Sequence, residues 1–154
     1  MKKCFYIPVL ILFSLFSCQT LPKENPKCIY LMIYDYENNA IKDVVIKSEK
    51  NQIGKTDIYG RFIITDLDSI INYKLAFEKP GYERIEYQLD ENKHDEVIYI
   101  KMGSGFYYAT MAENFYDNGD YIEAKQYINK ALEIENRKDY LFLNNIIGLE
   151  NENN

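Results

Sequence analysis

The sequence predicts an α+β fold: a seven-stranded antiparallel β-sandwich followed by a C-terminal helical hairpin plus a capping helix. Three observations predict it. From Cys28 to Met102, apolar residues recur with period two in short runs broken by polar turns. Seven such runs in about 75 residues is the spacing of a sandwich. After Gly103-Ser104-Gly105 the apolar period becomes helical.

The chain opens on MKKCFYIPVLILFSLFSC. Lys2 and Lys3 precede an apolar run, Cys4 to Phe16, that is short for the ~30 Å of a bilayer's hydrocarbon core and suits the apolar region of a secretory signal. Leu15-Phe16-Ser17-Cys18 resembles a bacterial lipobox, with Leu three residues before the cysteine and Ser just before it; Phe16 departs from the small residue usual there. The resemblance implies cleavage before Cys18, a thioether-linked diacylglycerol on its sulfur and acylation of the new amino group. An ordinary signal peptide with an incidental cysteine, or an uncleaved anchor, is the alternative. Residues 1–17 are thus expected to be a signal peptide. Residues 18–27, with two prolines and little to bury, read as a tether.

The strands follow in order. Cys28–Tyr34 is β-branched and aromatic and ends at Asp35-Tyr36-Glu37-Asn38-Asn39. Lys42–Ser48 sets Val44 and Ile46 against Asp43, Val45 and Lys47. Gln52–Thr56 and Arg61–Thr65 flank Asp57-Ile58-Tyr59-Gly60, a tight connection with Gly where positive φ is tolerated. Tyr73–Lys79 stops at Pro80-Gly81, Arg84–Leu89 alternates, and Glu96–Met102 closes the set.

Asp35…Asn39-Ala40-Ile41…Val44-Val45-Ile46, Thr56-Asp57-Ile58-Tyr59-Gly60-Arg61-Phe62 and Phe77-Glu78-Lys79-Pro80-Gly81-Tyr82 occur in that order. Residues 28–102 resemble, on these motifs, the carboxypeptidase regulatory-like, transthyretin-like β-sandwich. The resemblance covers about half the chain. It implies a folding, adhesion or interaction module and no catalytic part.

In Phe106–Asn118, Tyr108, Met111, Ala112 and Phe115 form one helical stripe. Gly119 sits where a left-handed C-cap residue is wanted, and Asp120 is placed to cap the next helix. That helix shows Tyr121, Ala124, Tyr127 or Ile128, Ala131 and Leu132 on its apolar face. The pattern Tyr108…Met111-Ala112…Phe115…Gly119-Asp120-Tyr121…Ala124…Ala131-Leu132 is similar to one tetratricopeptide repeat, with Asn136 in place of its terminal proline. A third amphipathic helix, Lys138–Leu149, is either the first half of a second repeat or a cap. Few repeat units bury their faces alone, so the helices of 106–149 are expected to dock on the sandwich, on a partner, or on both. Residues 150–154 read as a frayed polar tail.

Removing residues 1–17 leaves 16 basic against 24 acidic residues, a formal charge of −8. That disfavours nucleic acid and anionic lipid headgroups, both of which need basic patches, so membrane attachment is expected to come from the acyl chains. Of the three cysteines, Cys4 leaves with the signal and Cys18 is consumed by lipid, so no disulfide forms within the lipidated chain.

Chemistry-bearing motifs are few. His94, the only histidine, lies in a polar loop and reads as solvated. Asp57, Asp66 and Asp68 lack the dense spacing of a calcium loop, and Asp57 is better read as a turn residue. No nucleophile stands beside a base, and no cofactor is expected. The 15 tyrosines both pack and hydrogen-bond, which suits an interface. Tyr108, Phe115, Tyr121 and Tyr127 are the candidate partner-binding residues, with ordinary core packing as the simpler alternative.

The expected function is a non-catalytic scaffold or adaptor for envelope proteins, held at a bacterial cell membrane or outer membrane through lipid on Cys18. A peptide- or glycan-binding module and a secretion-system assembly lipoprotein are its rivals.

Overall fold

A computed structural model of the chain describes residues 28–49, 51–67, 70, 74–90 and 96–153. The expected signal, Cys18, the tether, Asp68 and His94 lie outside the described residues. Seven strands precede three helices: β1 (Ile29–Tyr34), β2 (Val45–Ser48), β3 (Asn51–Lys55), β4 (Arg61–Ile64), β5 (Lys74–Glu78), β6 (Ile85–Gln88), β7 (Val97–Lys101), α1 (Gly105–Asp117), α2 (Tyr121–Ile134) and α3 (Lys138–Asn153). The α+β arrangement and the order of elements are as the sequence predicts.

The strands form two sheets, ordered β4-β1-β7 and β3-β2-β5-β6. The four-stranded sheet is antiparallel throughout, with a bulge in the β2–β3 pair at Ile46/Lys47. The three-stranded sheet is mixed: β1 runs antiparallel to β4 but parallel to β7, Tyr30 opposite Val97 and Tyr34 opposite Lys101. The expectation of a wholly antiparallel sandwich is corrected there. The reason is long-range pairing. The central strand β1 takes both neighbours from later in the chain, so no hairpin dictates its direction.

Between the sheets lie Ile29, Leu31 and Ile33 of β1, Ile46 of β2, Leu75 and Phe77 of β5 and Ile100 of β7, with Met102 beyond it. Each is almost wholly buried. Burial of such a side chain contributes about 1.5–3 kcal/mol. Gly54 makes room for one more: a Cβ there would strike the Phe62 ring of β4, which packs against this core.

Two turns at one end of the mixed sheet share a single design. Asp35 accepts from the backbone N–H groups of Glu37 and Asn39 at 2.9 and 2.8 Å, and Asp57 does the same for Tyr59 and Arg61 at 2.8 and 2.9 Å. In each, the residue three after the Asp donates its N–H to the Asp carbonyl and has positive φ: Asn38 at 67° and Gly60 at 72°. Gly60 must lack a side chain for a second reason, since a Cβ there would meet the Ile33 carbonyl of β1. Thr56 locks the second turn from below. Its buried hydroxyl donates to the Ile41 carbonyl at 2.7 Å and accepts from the Val44 N–H at 2.9 Å.

The helices have a core of their own: Tyr108, Ala109 and Ala112 of α1, Ala124, Ile128 and Ala131 of α2, Tyr140 and Ile147 of α3. Helix α1 is N-capped by Ser104, whose hydroxyl accepts from the Tyr107 N–H at 3.0 Å. It ends in a Schellman turn: Asp120 N–H to Phe115 carbonyl, Gly119 N–H to Tyr116 carbonyl, Gly119 at φ 82°. Asp120 stands at the N-cap of α2, but its side chain makes no cap bond, contrary to expectation; its ψ of 66° departs from the extended backbone that Ser104 adopts at 157°.

Candidate functional site

Gly103-Ser104-Gly105 reads as a hinge in the sequence, and the structure shows it strapped. The Gly105 N–H reaches the Gly81 carbonyl at 3.1 Å, and the Glu83 N–H reaches the Gly103 carbonyl at 2.8 Å. Tyr82 and Ser104 form a β-bridge. The Glu83 carboxylate then turns back to accept the Gly103 N–H at 2.6 Å. The Pro80-Gly81 turn of the four-stranded sheet thus carries the start of α1.

An aromatic run crosses this joint. Tyr36, in the Asp35 turn, stacks on Tyr107 of α1 with ring centres 4.9 Å apart. Tyr107 meets Tyr108 edge-on at 5.3 Å, Tyr108 meets Tyr127 at 6.2 Å, and Tyr127 stacks on Phe115 at 5.1 Å. Lys130 lies over both Tyr108 and Tyr127. Three of the four candidate residues, Tyr108, Phe115 and Tyr127, therefore belong to one continuous run. Tyr121 stands apart, tilted against Tyr116 at 5.6 Å.

Burial differs along the run. Tyr108 is 4% exposed, and its ring lies against Gly103, where any Cβ would collide with it. Burial is the main force raising its phenol pKa, and its hydrogen bond to the Glu83 carboxylate adds to it. Tyr107 and Tyr82 are raised as well, chiefly by burial. Phe115, Tyr121 and Tyr127 are half-buried. Sequence reasoning missed Tyr36, Tyr82, Glu83 and Tyr107; the first sits in a polar turn and gives no periodic signal.

Two hollows flank these elements. One, about 420 Å³, opens between sandwich and helices and is lined by Tyr82, Glu83, Arg84, Tyr108, Lys130 and Glu133, a polar set of both signs. The other, about 590 Å³, lies on the outer face of the mixed sheet and is largely apolar, with Tyr30, Met32, Ile63 and Val97 in its lining.

Asp57 is fully engaged in its own turn. The Arg61 N–H holds its carboxylate below the ordinary range, and the Arg61 guanidinium adds to this at 3.0 Å. Among the described residues, no group of three His, Cys, Asp or Glu side chains is placed to hold a metal ion. No helix among them is long and apolar enough to cross a membrane.

No family model and no curated protein matches the chain. Among solved structures it is similar to the Bacillus anthracis TIE protein, at 16% identity and a TM-score of 0.36. The match covers 51% of this chain and spans 16% of that one, and at this level it carries no argument about fold or function.

Proposed function

We propose that the chain is a lipid-anchored protein of the bacterial envelope, tied to its membrane through Cys18, in which the sandwich is a mount and the helical unit is a non-catalytic adaptor for another envelope protein. One observation carries the reading. Because β1 and β7 run parallel, the chain enters the mixed sheet at one end and leaves it for α1 at the other. The six residues of β1 separate the two ends by about 20 Å. A lipid-bound tether and a partner-binding unit then never compete for the same end of the sandwich.

The helical unit has features that suit an adaptor. It is held to the mount by backbone hydrogen bonds and the Tyr36–Tyr107 stack, and it keeps Phe115, Tyr121 and Tyr127 within reach of solvent. Tyr108, being buried, would serve a partner surface only by holding Tyr127 in place. The lipobox resemblance of Leu15-Phe16-Ser17-Cys18 supplies the anchor.

The polar cleft of about 420 Å³ favours a second reading, a binding module for a peptide or glycan. Purification from detergent extract separates the two. The adaptor reading expects a stoichiometric protein partner that is lost in a Phe115→Ala, Tyr121→Ala double variant still present in the membrane fraction. A monomer without a protein partner, stabilised against heat by peptide or glycan, would replace it with the second reading.

A further inference from the structure

Strand β1 is apolar on both faces. Its inward residues Ile29, Leu31 and Ile33 fill the core, and its outward residues begin with Tyr30 and Met32. The registers set Tyr30 between Ile63 of β4 and Val97 of β7, and Met32 between Arg61 and Tyr99. Four members of this face are well exposed: Tyr99 at 65%, Ile63 at 50%, Val97 at 46% and Tyr30 at 39%. The solvent face of a half-buried sheet is ordinarily polar. A contiguous apolar face of this kind marks a contact surface.

The length of chain ahead of β1 says what can reach it. Nine residues lie between Cys18 and Cys28, a reach of at most about 35 Å fully extended and roughly 15–20 Å for a coil. Tyr30 is the first outward residue after that segment, so the all-apolar row Ile63–Tyr30–Val97 lies at the end where the tether arrives. The rim chemistry fits as well. Lys55 and Arg61 border the groove, the latter paired with Asp57 in the same lining, and the two tyrosines offer apolar rings with polar tips. Aromatic rings and long cationic side chains around an apolar centre suit the interface between headgroups and acyl chains. A tether makes contact intramolecular, so a face too small to bind a bilayer from solution suffices.

We infer that the outer face of β4-β1-β7, centred on Tyr30, Ile63, Val97 and Tyr99, rests on the lipid bilayer to which Cys18 ties the chain. The inference rests on the anchoring reading above and adds an orientation to it. The mixed sheet lies along the membrane, with α1 leaving from the end opposite the tether.

The chain contains no tryptophan, so a single indole reports its own surroundings. The full-length lipidated protein carrying Tyr99→Trp is reconstituted in phosphatidylcholine vesicles with brominated acyl chains, and Phe142→Trp, on exposed α3, serves as comparison. The Tyr99→Trp indole should emit at shorter wavelength and be quenched severalfold; the Phe142→Trp indole should show neither. Ile63→Trp repeats the test should the first variant fold poorly. With Cys18 shown by mass to be acylated, equal and weak quenching at all positions would overturn the inference and leave the anchor standing. A blue shift that grows with protein density, accompanied by crosslinked dimers, would overturn it in favour of a second copy covering the face. An N-terminal peptide without diacylglycerol would sink the anchoring reading, and the inference with it.

Discussion

Tyr36 and Tyr107 stack with ring centres 4.9 Å apart and planes inclined by 21°, one ring from a turn of the sandwich and the other from the first helix after it. The stack is exposed on its Tyr36 side, and an aromatic pair of this kind is worth about 0.5–1.5 kcal/mol beyond its area. Tyr36→Ala should therefore loosen the joint by about 1 kcal/mol without melting either core. Faster hydrogen exchange at the Glu83 and Gly105 amides, which bond across the joint, would register it, while amides of β1 stay protected.

The twin Asp turns make opposite demands at equivalent positions. Gly60→Val should destabilise the sandwich by ~1–3 kcal/mol or more, since positive φ and the nearby Ile33 carbonyl both oppose a β-branched side chain. Asn38→Gly, at the same left-handed conformation but already carrying a Cβ, should change stability by about 1 kcal/mol at most. Denaturant melts of the two variants check the contrast; equal losses would contradict it.

Tyr108 should give the fold an alkaline limit. Its phenol is raised in the folded chain, first by burial and then by Glu83, so its contribution is complete below the ordinary tyrosine value of about 10 and is lost as pH climbs toward the folded value. Tyr108→Phe should cost stability at neutral pH, where the hydrogen bond to Glu83 is gone, and should flatten the loss above about pH 10. Thermal melts at stepped pH would reveal it as two curves converging in alkali.

Ala124, fully buried where α2 meets its neighbours, has no room for a charge. Ala124→Lys should undo the helical unit by more than about 3 kcal/mol and abolish partner binding, while the strands keep their circular-dichroism signal. The excised segment 104–154 should be largely disordered, having lost Tyr36, Gly81 and Glu83. A cooperatively folded, monomeric fragment would mean that the helices need nothing from the sandwich.

Much of this was legible in the residues. All seven strands and three helices stand where the periodicities put them, because alternation and helical stripes are local signals. Boundaries moved for local reasons: the second strand begins at Val45, not Lys42, after Asp43 takes positive φ. Partner choice was not local. The parallel β1–β7 pair depends on which of two edges a strand about 65 residues later occupies, and period two is silent on that. The α1 face also shifted, from Tyr108, Met111, Ala112 and Phe115 to Gly105, Tyr108, Ala109 and Ala112, because α3 as well as α2 packs on that core. Between Tyr127 and Ile128 the stripe of α2 left the choice open; Ile128 is the fully buried one, and Tyr127 joins the aromatic run. The outer apolar face escaped notice since β1, apolar on both sides, resembles a strand buried on both sides.

The mass of the N-terminal peptide, released from protein purified out of a bacterial membrane fraction, tests the account most directly. The account predicts that this peptide begins at Cys18 and carries diacylglycerol on its sulfur and an acyl chain on its amino group, and that Cys18→Ser abolishes both and releases the protein from the detergent phase. A peptide beginning anywhere else, or an unmodified Cys18 in protein that still partitions with detergent, would contradict it.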